Sequence, residues 1–329
     1  MTTPFPLLRL PRLALIPVFQ HMERIDVIAF SFLSKRTHNL LKYLRKKLSF
    51  RYIDLGINNN CLSMTIAPTN GSPLTLYFYT DVLTTVEVFQ RRLYDGRSVY
   101  KKIQWNNIGL STEQWVERLL DVTKCPLRSR LTLDGIPKFD VFSVFDVIPK
   151  VAELDICYNC CNAVAKRAVE VLSPVTSSIT LFKVPFSNRE EFQRFWMGNV
   201  KCLNIYGHAL SKFQFNIDDL LASNAVRLEM SGVSLSLRDL NRFFSCWLNK
   251  TSNRRLKHLT VQSLGNFDED VLLEGLNATR FTEEQQRQFR SNYSLVVFTG
   301  GFEMRRIDGQ LATITFGGSD FITFIHFDS

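Results

Sequence analysis

No stretch of this 329-residue chain approaches the roughly 18 uncharged apolar residues that a membrane-spanning helix needs. The apolar N-terminus is cut by Arg9 and Arg12 and by Pro4, Pro6, Pro11 and Pro17, so a clean secretory block is also missing. A cytoplasmic or nuclear protein without a membrane partner is therefore expected. Glycine pairs occur only at Gly300-Gly301 and Gly317-Gly318, between apolar alternations, so no glycine-rich phosphate loop is present. Five histidines, at 21, 38, 208, 258 and 326, share no motif, and no nucleophile elbow or zinc-protease signature occurs. Seven cysteines, at 61, 125, 157, 160, 161, 202 and 246, are odd in number and too sparse for a disulfide scaffold. Cys157-x-x-Cys160-Cys161 has no second ligand pair to complete a zinc site. The expectation is a non-enzyme: no catalytic residue, cofactor or metal ligand is nominated.

Acidic residues are scarce at one end. Residues 1–51 hold ten basic side chains against Glu23 and Asp26, a net charge of +8 within a total of +9. The rest of the chain is nearly neutral. Such asymmetry points to an acidic partner, either a protein or nucleic acid, unless it is only a solvated helix face. Within this segment, Leu13, Leu15, Ile16, Val18, Phe19 and Met22 have helical spacing, with Pro17 expected to shorten or kink the helix. Asp26 opens a second apolar run, Val27, Ile28, Phe30, Phe32 and Leu33. Ser34 can cap a third helix through Leu40, Leu41, Leu44 and Leu48, whose other face carries Lys42, Arg45, Lys46 and Lys47. Three short helices hold more apolar residues than they can bury alone, so a covering partner is expected.

Leu10-Pro11, Leu13-Ala14-Leu15, Val18-Phe19, Asp26-Val27-Ile28 and Leu33-Ser34-Lys35-Arg36 follow, in order and spacing, the F-box pattern. The stretch resembles the large F-box family of nematodes, with Thr37-His38 where the general pattern carries a tryptophan. That resemblance implies docking on an acidic Skp-family adaptor and, through it, on a cullin ubiquitin ligase. The implied adaptor-binding residues are Leu10, Pro11, Leu13, Leu15, Val18, Phe19, Ile28 and Leu33. Two later stretches, LEMSGVSLSLRDLNRFFSCWLN and RRIDGQLATITF, resemble the F-box-associated domain of the same family.

The body of the chain repeats a unit of Leu-x-Leu-x-x-apolar followed by a short helix. Its second apolar position falls at 76, 105, 133, 156, 181, 205, 230 and 261. Periods of about 20–30 residues with one strand and one helix per unit mark leucine-rich repeats. The late Asn of that consensus is plain only at Asn159, so a leucine-rich-repeat-like α/β solenoid is expected; an ordinary α/β domain is the alternative. Alternating strands precede and follow it, and Asp308-Gly309 signals a hairpin. The expected fold is α/β: an F-box helical module at 1–48, a solenoid at 49–280, and a C-terminal helix and β-hairpin cap at 281–329.

Together these features read as a ligase substrate receptor, with a basic nucleic-acid-binding protein or an orphan repeat scaffold as alternatives. Nucleic acid is disfavoured because no recognition motif or stacking aromatic accompanies the basic face. Phe182 and Tyr206 follow the second apolar position in adjacent repeats and should form an exposed aromatic patch for a protein target. Asp155, Arg227 and Glu229, with Glu153, would form its polar rim.

Overall fold

Alternation of short apolar pairs with amphipathic stretches becomes a mixed α/β architecture in the computed structural model. The structure describes residues 10–44, 50–79, 84–94, 97–107, 109–123, 130–148, 150–206, 210, 212–262, 268–281, 287–290, 295–298, 300–317 and 321–326. The chain divides into two compact units, residues 1–154 with 159–175, and residues 155–158 with 176–329.

The first unit begins with three helices, α1 (Arg12–His21), α2 (Arg24–Ser31) and α3 (Lys35–Leu44). Leu15, Phe19, Val27, Phe30 and Leu41 form their shared core, with Leu10, Met22 and Leu40 packed against it. Phe19 and Phe30 meet edge to face at 4.9 Å, the geometry the ring quadrupole favours. Pro17 lies inside α1, which runs on to His21, so the expected shortening does not occur. Ser34 and Thr37 cap α3 reciprocally: the Thr37 N–H donates to Ser34 Oγ (3.2 Å) and the Ser34 N–H to Thr37 Oγ1 (2.9 Å).

Five antiparallel strands follow, β1 (Phe50–Ile57), β2 (Cys61–Pro68), β3 (Leu74–Tyr79), β4 (Thr85–Tyr94) and β5 (Arg97–Asn106). After α4 (Thr112–Thr123), β6 (Arg130–Leu133) returns parallel to β1, with Leu55 opposite Leu131. Then come α5 (Phe142–Val147), β7 (Glu153–Ile156) and α6 (Asn162–Leu172). This corrects the extent of the repeat. Leu74/Leu76 and Ile103/Trp105 stand in antiparallel β3 and β5. The links between β2 and β5 are a few residues long, and a parallel return needs a crossover of a dozen or more. Ile108 lies outside the described residues.

The second unit alternates strands and helices: β8 (Ser178–Leu181), α7 (Arg189–Trp196), β9 (Cys202–Ile205), α8 (Ile217–Ala222), β10 (Arg227–Met230), α9 (Leu237–Leu248) and β11 (His258–Gln262). The four strands are parallel and in register. Ile179, Leu203, Leu228 and Leu259 form one row, and Leu181, Ile205, Met230 and Val261 the next. All eight are at most 2% exposed, so each pair of apolar residues feeds one continuous core. The helices start where the sequence supplies caps: Asn188 accepts from the Glu191 N–H, and Asn216 and Ser236 form capping boxes with Asp219 and Asp239.

After α10 (Glu269–Leu273), the chain forms β12 (Thr279–Phe281), β13 (Arg287–Arg290), β14 (Leu295–Phe298), β15 (Gly301–Arg305), β16 (Leu311–Gly317) and β17 (Phe321–His326). Strand β17 lies antiparallel to β11, and β16, β15 and β12 extend the sheet beyond it. The expected turn at Asp308-Gly309 joins β15 to β16, with Gly309 at φ 88°. The helix expected within 281–329 is not found among the described residues, which form strands there. Gly318, of the Gly317-Gly318 pair, lies outside them.

Candidate interaction surfaces

The nominated N-terminal residues separate by burial. Leu15 (4%), Phe19 (8%) and Ile28 (0%) are interior and hold the helices together. Leu10 and Val18 are half-buried, Pro11 is exposed, and Leu33 is 62% exposed. The side chain of Leu13 lies outside the described residues. Pro11 and Leu33, and in part Leu10 and Val18, are therefore the residues of this set with surface to offer.

Part of the apolar surplus is covered within the first unit itself. Phe32 packs on Trp115 of α4 at 4.0 Å between centroids and faces Trp105 of β5 at 6.4 Å. Only 4% of Phe32 is exposed. Part of the basic charge is also used internally. Lys42 and His38 on α3 both reach Asp121 on α4, the histidine through Nε2 at 2.7 Å. Burial raises the Asp121 pKa, but the hydrogen bonds from Lys42 and His38 outweigh it and hold the carboxyl below its ordinary range. His38 thus stands where the general F-box pattern has its tryptophan region, and it ties α3 to the body. Arg24 donates to the Asn70 carbonyl. Arg45, Lys46 and Lys47 lie outside the described residues.

In the second unit the ends of the parallel strands carry an aromatic row. Phe182 and Tyr206 stack at 5.3 Å with their planes 20° apart, and Tyr158 joins Phe182 at 5.6 Å. The backbone explains the stack. The Phe182 N–H donates to the Ile156 carbonyl and the Tyr206 N–H to the Leu181 carbonyl, at 2.9 and 3.0 Å, which sets the two residues on adjacent strands. Phe182 and Tyr206 are half-buried, whereas Tyr158 is 58% exposed. Tyr158 was missed because strict repeat counting gives Cys157; an aromatic one residue further along was the available signal.

Below the row, on the same sheet face, Thr180, Asn204, Glu229 and Thr260 lie in register. Arg227 and Glu229 pair with each other, guanidinium Nε to carboxylate at 2.9 Å, so this part of the rim is an internal salt bridge. Burial raises the Tyr206 pKa, with Glu229 and Asp155 adding to it and Arg227 opposing. His258, next to Glu229 at 3.7 Å, is pushed down to about 3 by burial and by Arg227. Glu153 is engaged by Arg130.

Asp219, 3% exposed, accepts both bonds from Arg189 Nη2 at 2.8 and 3.0 Å, and also closes the cap of α8 by accepting from the Asn216 N–H. Trp196 Nε1 donates to the Asp219 carbonyl at 2.6 Å.

Among the described residues no group of three or more His, Cys, Asp or Glu could hold a metal ion. No described helix is long and apolar enough to cross a membrane. Cys160 is buried and Cys161 sits at the start of α6.

Comparison with known proteins now bears on both surfaces. Residues 7–49 match the F-box domain, and residues 191–261 match the F-box-associated domain. The resemblance read from the N-terminal motifs is thereby shown, and the F-box match spans α1, α2 and α3. The F-box-associated match runs from α7 to β11, narrower than the 49–280 expected, and it contains Tyr206 and the Arg227–Glu229 pair. The F-box associated domain-containing protein sdz-33 of Caenorhabditis elegans is 22% identical over 319 residues, covering 95% of this chain and 94% of that protein. No solved structure matches.

Proposed function

We propose that the chain is the substrate-recognition subunit of a Skp-cullin-F-box ubiquitin ligase. The observation that carries this reading is the F-box match over three helices that fold around their own core while leaving Pro11 and Leu33 at the surface. Leu10, Pro11, Val18 and Leu33 form the adaptor face in this reading, and Leu15, Phe19 and Ile28 act by shaping it. The chain contributes no chemistry of its own; it raises the effective concentration of a protein target near the charged ubiquitin-conjugating enzyme. Such a receptor works in the cytoplasm or nucleus.

The target is taken by the body of the chain. The parallel strands β8–β11 with their covering helices support a leucine-rich-repeat-like arrangement, with the F-box module at 1–48 and a strand-built end at 281–329. The row Tyr158, Phe182 and Tyr206 is the target surface, with Asp155 at its edge. Aromatic side chains with two rotatable bonds are common anchors at interfaces. The experiment is capture of a purified Skp-family adaptor by the full chain and by Leu10→Ala/Pro11→Ala. Strong loss of capture by a chain that stays folded, with only a small drop in melting temperature, supports the reading. Equal capture by the double variant contradicts it.

A further inference from the structure

We propose that β5 is a docking edge that takes an extended acidic segment of a partner protein as an added strand. Among the described residues β5 pairs with β4 alone and ends the sheet. The pairing runs without a register break over ten residue pairs, from Thr85–Asn106 to Tyr94–Arg97. Tyr94 is paired with Arg97 at one end, and at the other the Asn107 N–H donates to the Thr84 carbonyl at 2.8 Å. Hydrogen-bonded pairs alternate along an antiparallel ladder. The odd-numbered residues of β5 therefore bond β4, and Ser98, Tyr100, Lys102, Gln104 and Asn106 turn their N–H and C=O groups outward. Tyr100, Lys102, Gln104 and Asn106 are also exposed at their side chains.

Native edges are guarded by proline, a bulge, short length or charges along the edge. β5 has no proline, no bulge and ten residues. Lys102 lies across the sheet face, 2.6 Å from Glu87 and 5.7 Å from the Phe89 ring, and the exposed Lys101 guards the edge against basic segments but not against an acidic one. Val99 is 51% and Tyr100 62% exposed, so the edge offers apolar contact on both faces.

Charge and hydrogen-bond chemistry select the occupant. Residues 90–102 carry Arg91, Arg92, Arg97, Lys101 and Lys102 against Asp95 alone. A second copy of β5 would set these charges against their like. A nucleic-acid backbone accepts hydrogen bonds but gives few to carbonyls, so it would leave the outward C=O groups unmatched. An extended acidic peptide satisfies both the donors and the acceptors and complements the charge. This surface is independent of the F-box reading and would stand if that reading failed.

The test uses the full chain with a ten-residue peptide of alternating glutamate and threonine. Controls are the same peptide methylated at alternate backbone nitrogens, a lysine–threonine counterpart and a ten-nucleotide oligouridine RNA. Amide exchange at residues 98, 100, 102, 104 and 106 should slow at least tenfold with the acidic peptide. Affinity should fall at least tenfold for the methylated peptide, for Lys101→Glu, and for Gln104→Pro, whose lost N–H faces away from β4. If Gln104→Pro fails to fold, the methylated peptide and Lys101→Glu decide. The proposal is overturned if those amides do not respond, if the methylated peptide binds equally, or if RNA binds more tightly than the peptide. Protection that rises with protein concentration alone would assign the edge to a second copy and also overturn it.

Discussion

Replacing Asp219 with alanine should destabilise the second unit by about 3 kcal/mol. Removing one partner of a buried ion pair costs about 3–5 kcal/mol. Arg189 keeps 40% of its side chain exposed, so its charge regains part of its hydration and the cost falls below that range, to about 2 kcal/mol. Loss of the cap on α8 adds about 1 kcal/mol. Asp219→Asn keeps one oxygen as acceptor but loses the charge, and about 1–2 kcal/mol is expected. Chemical unfolding followed by tryptophan fluorescence suits the site, since Trp196 donates to the Asp219 backbone carbonyl, a bond the substitution keeps in the folded state and unfolding breaks. For a unit of this size the alanine variant should melt roughly 6–12 °C lower, at about 2–4 °C per kcal/mol. A change below 1 kcal/mol would refute the reasoning, because it would mean that the pair contributes no more than a surface contact. Helices α7 and α8 lie beside the strand carrying Tyr206, so the same variant should weaken target capture in proportion to its instability and leave adaptor capture intact.

Further outcomes follow from the same structure. Leu15→Ala should cost about 2–5 kcal/mol by opening the three-helix core, whereas Leu10→Ala/Pro11→Ala, which trims a half-buried side chain at its margin, should cost about 1 kcal/mol and leave the chain folded. The Asp121 pKa is lower folded than unfolded, so its contribution is present above the ordinary carboxylate range and is lost as pH falls through the folded value; acid titration of wild type against Asp121→Asn checks this. His258 is also depressed, to about 3, so the unfolded chain takes up its proton first. Stability should fall by about 1.4 kcal/mol per pH unit below about 6.5, a slope that His258→Gln should remove in pH-dependent unfolding. Phe182→Ala/Tyr206→Ala should abolish target capture while adaptor binding holds; a collapse of the melting temperature would instead make the pair structural.

Much of the architecture was legible because strand pairs and helix caps are local signals. Leu203/Ile205 and Leu228/Met230 announced strands, and Asn188 and Ser236 announced the helices before and after them. The stack of Phe182 on Tyr206 followed from equal positions in adjacent units. Position along a repeat, however, does not encode strand direction. Leu74/Leu76 and Ile103/Trp105 fitted the same spacing yet belong to antiparallel strands, and Asp95-Gly96 between alternating runs was the hairpin signal that distinguished them. Burial within the N-terminal module was not legible either. Whether Phe32 faces a partner or the chain's own body depends on Trp105 and Trp115, which are more than seventy residues away in sequence.

The central claim is that the three N-terminal helices anchor this chain to a ligase adaptor. The most direct measurement is titration of the purified full chain with a purified Skp-family adaptor, at low and at physiological salt. The account predicts a one-to-one complex that persists at physiological salt and is strongly weakened by Leu10→Ala/Pro11→Ala. No complex with any adaptor at either salt, alongside a correctly folded chain, would contradict it.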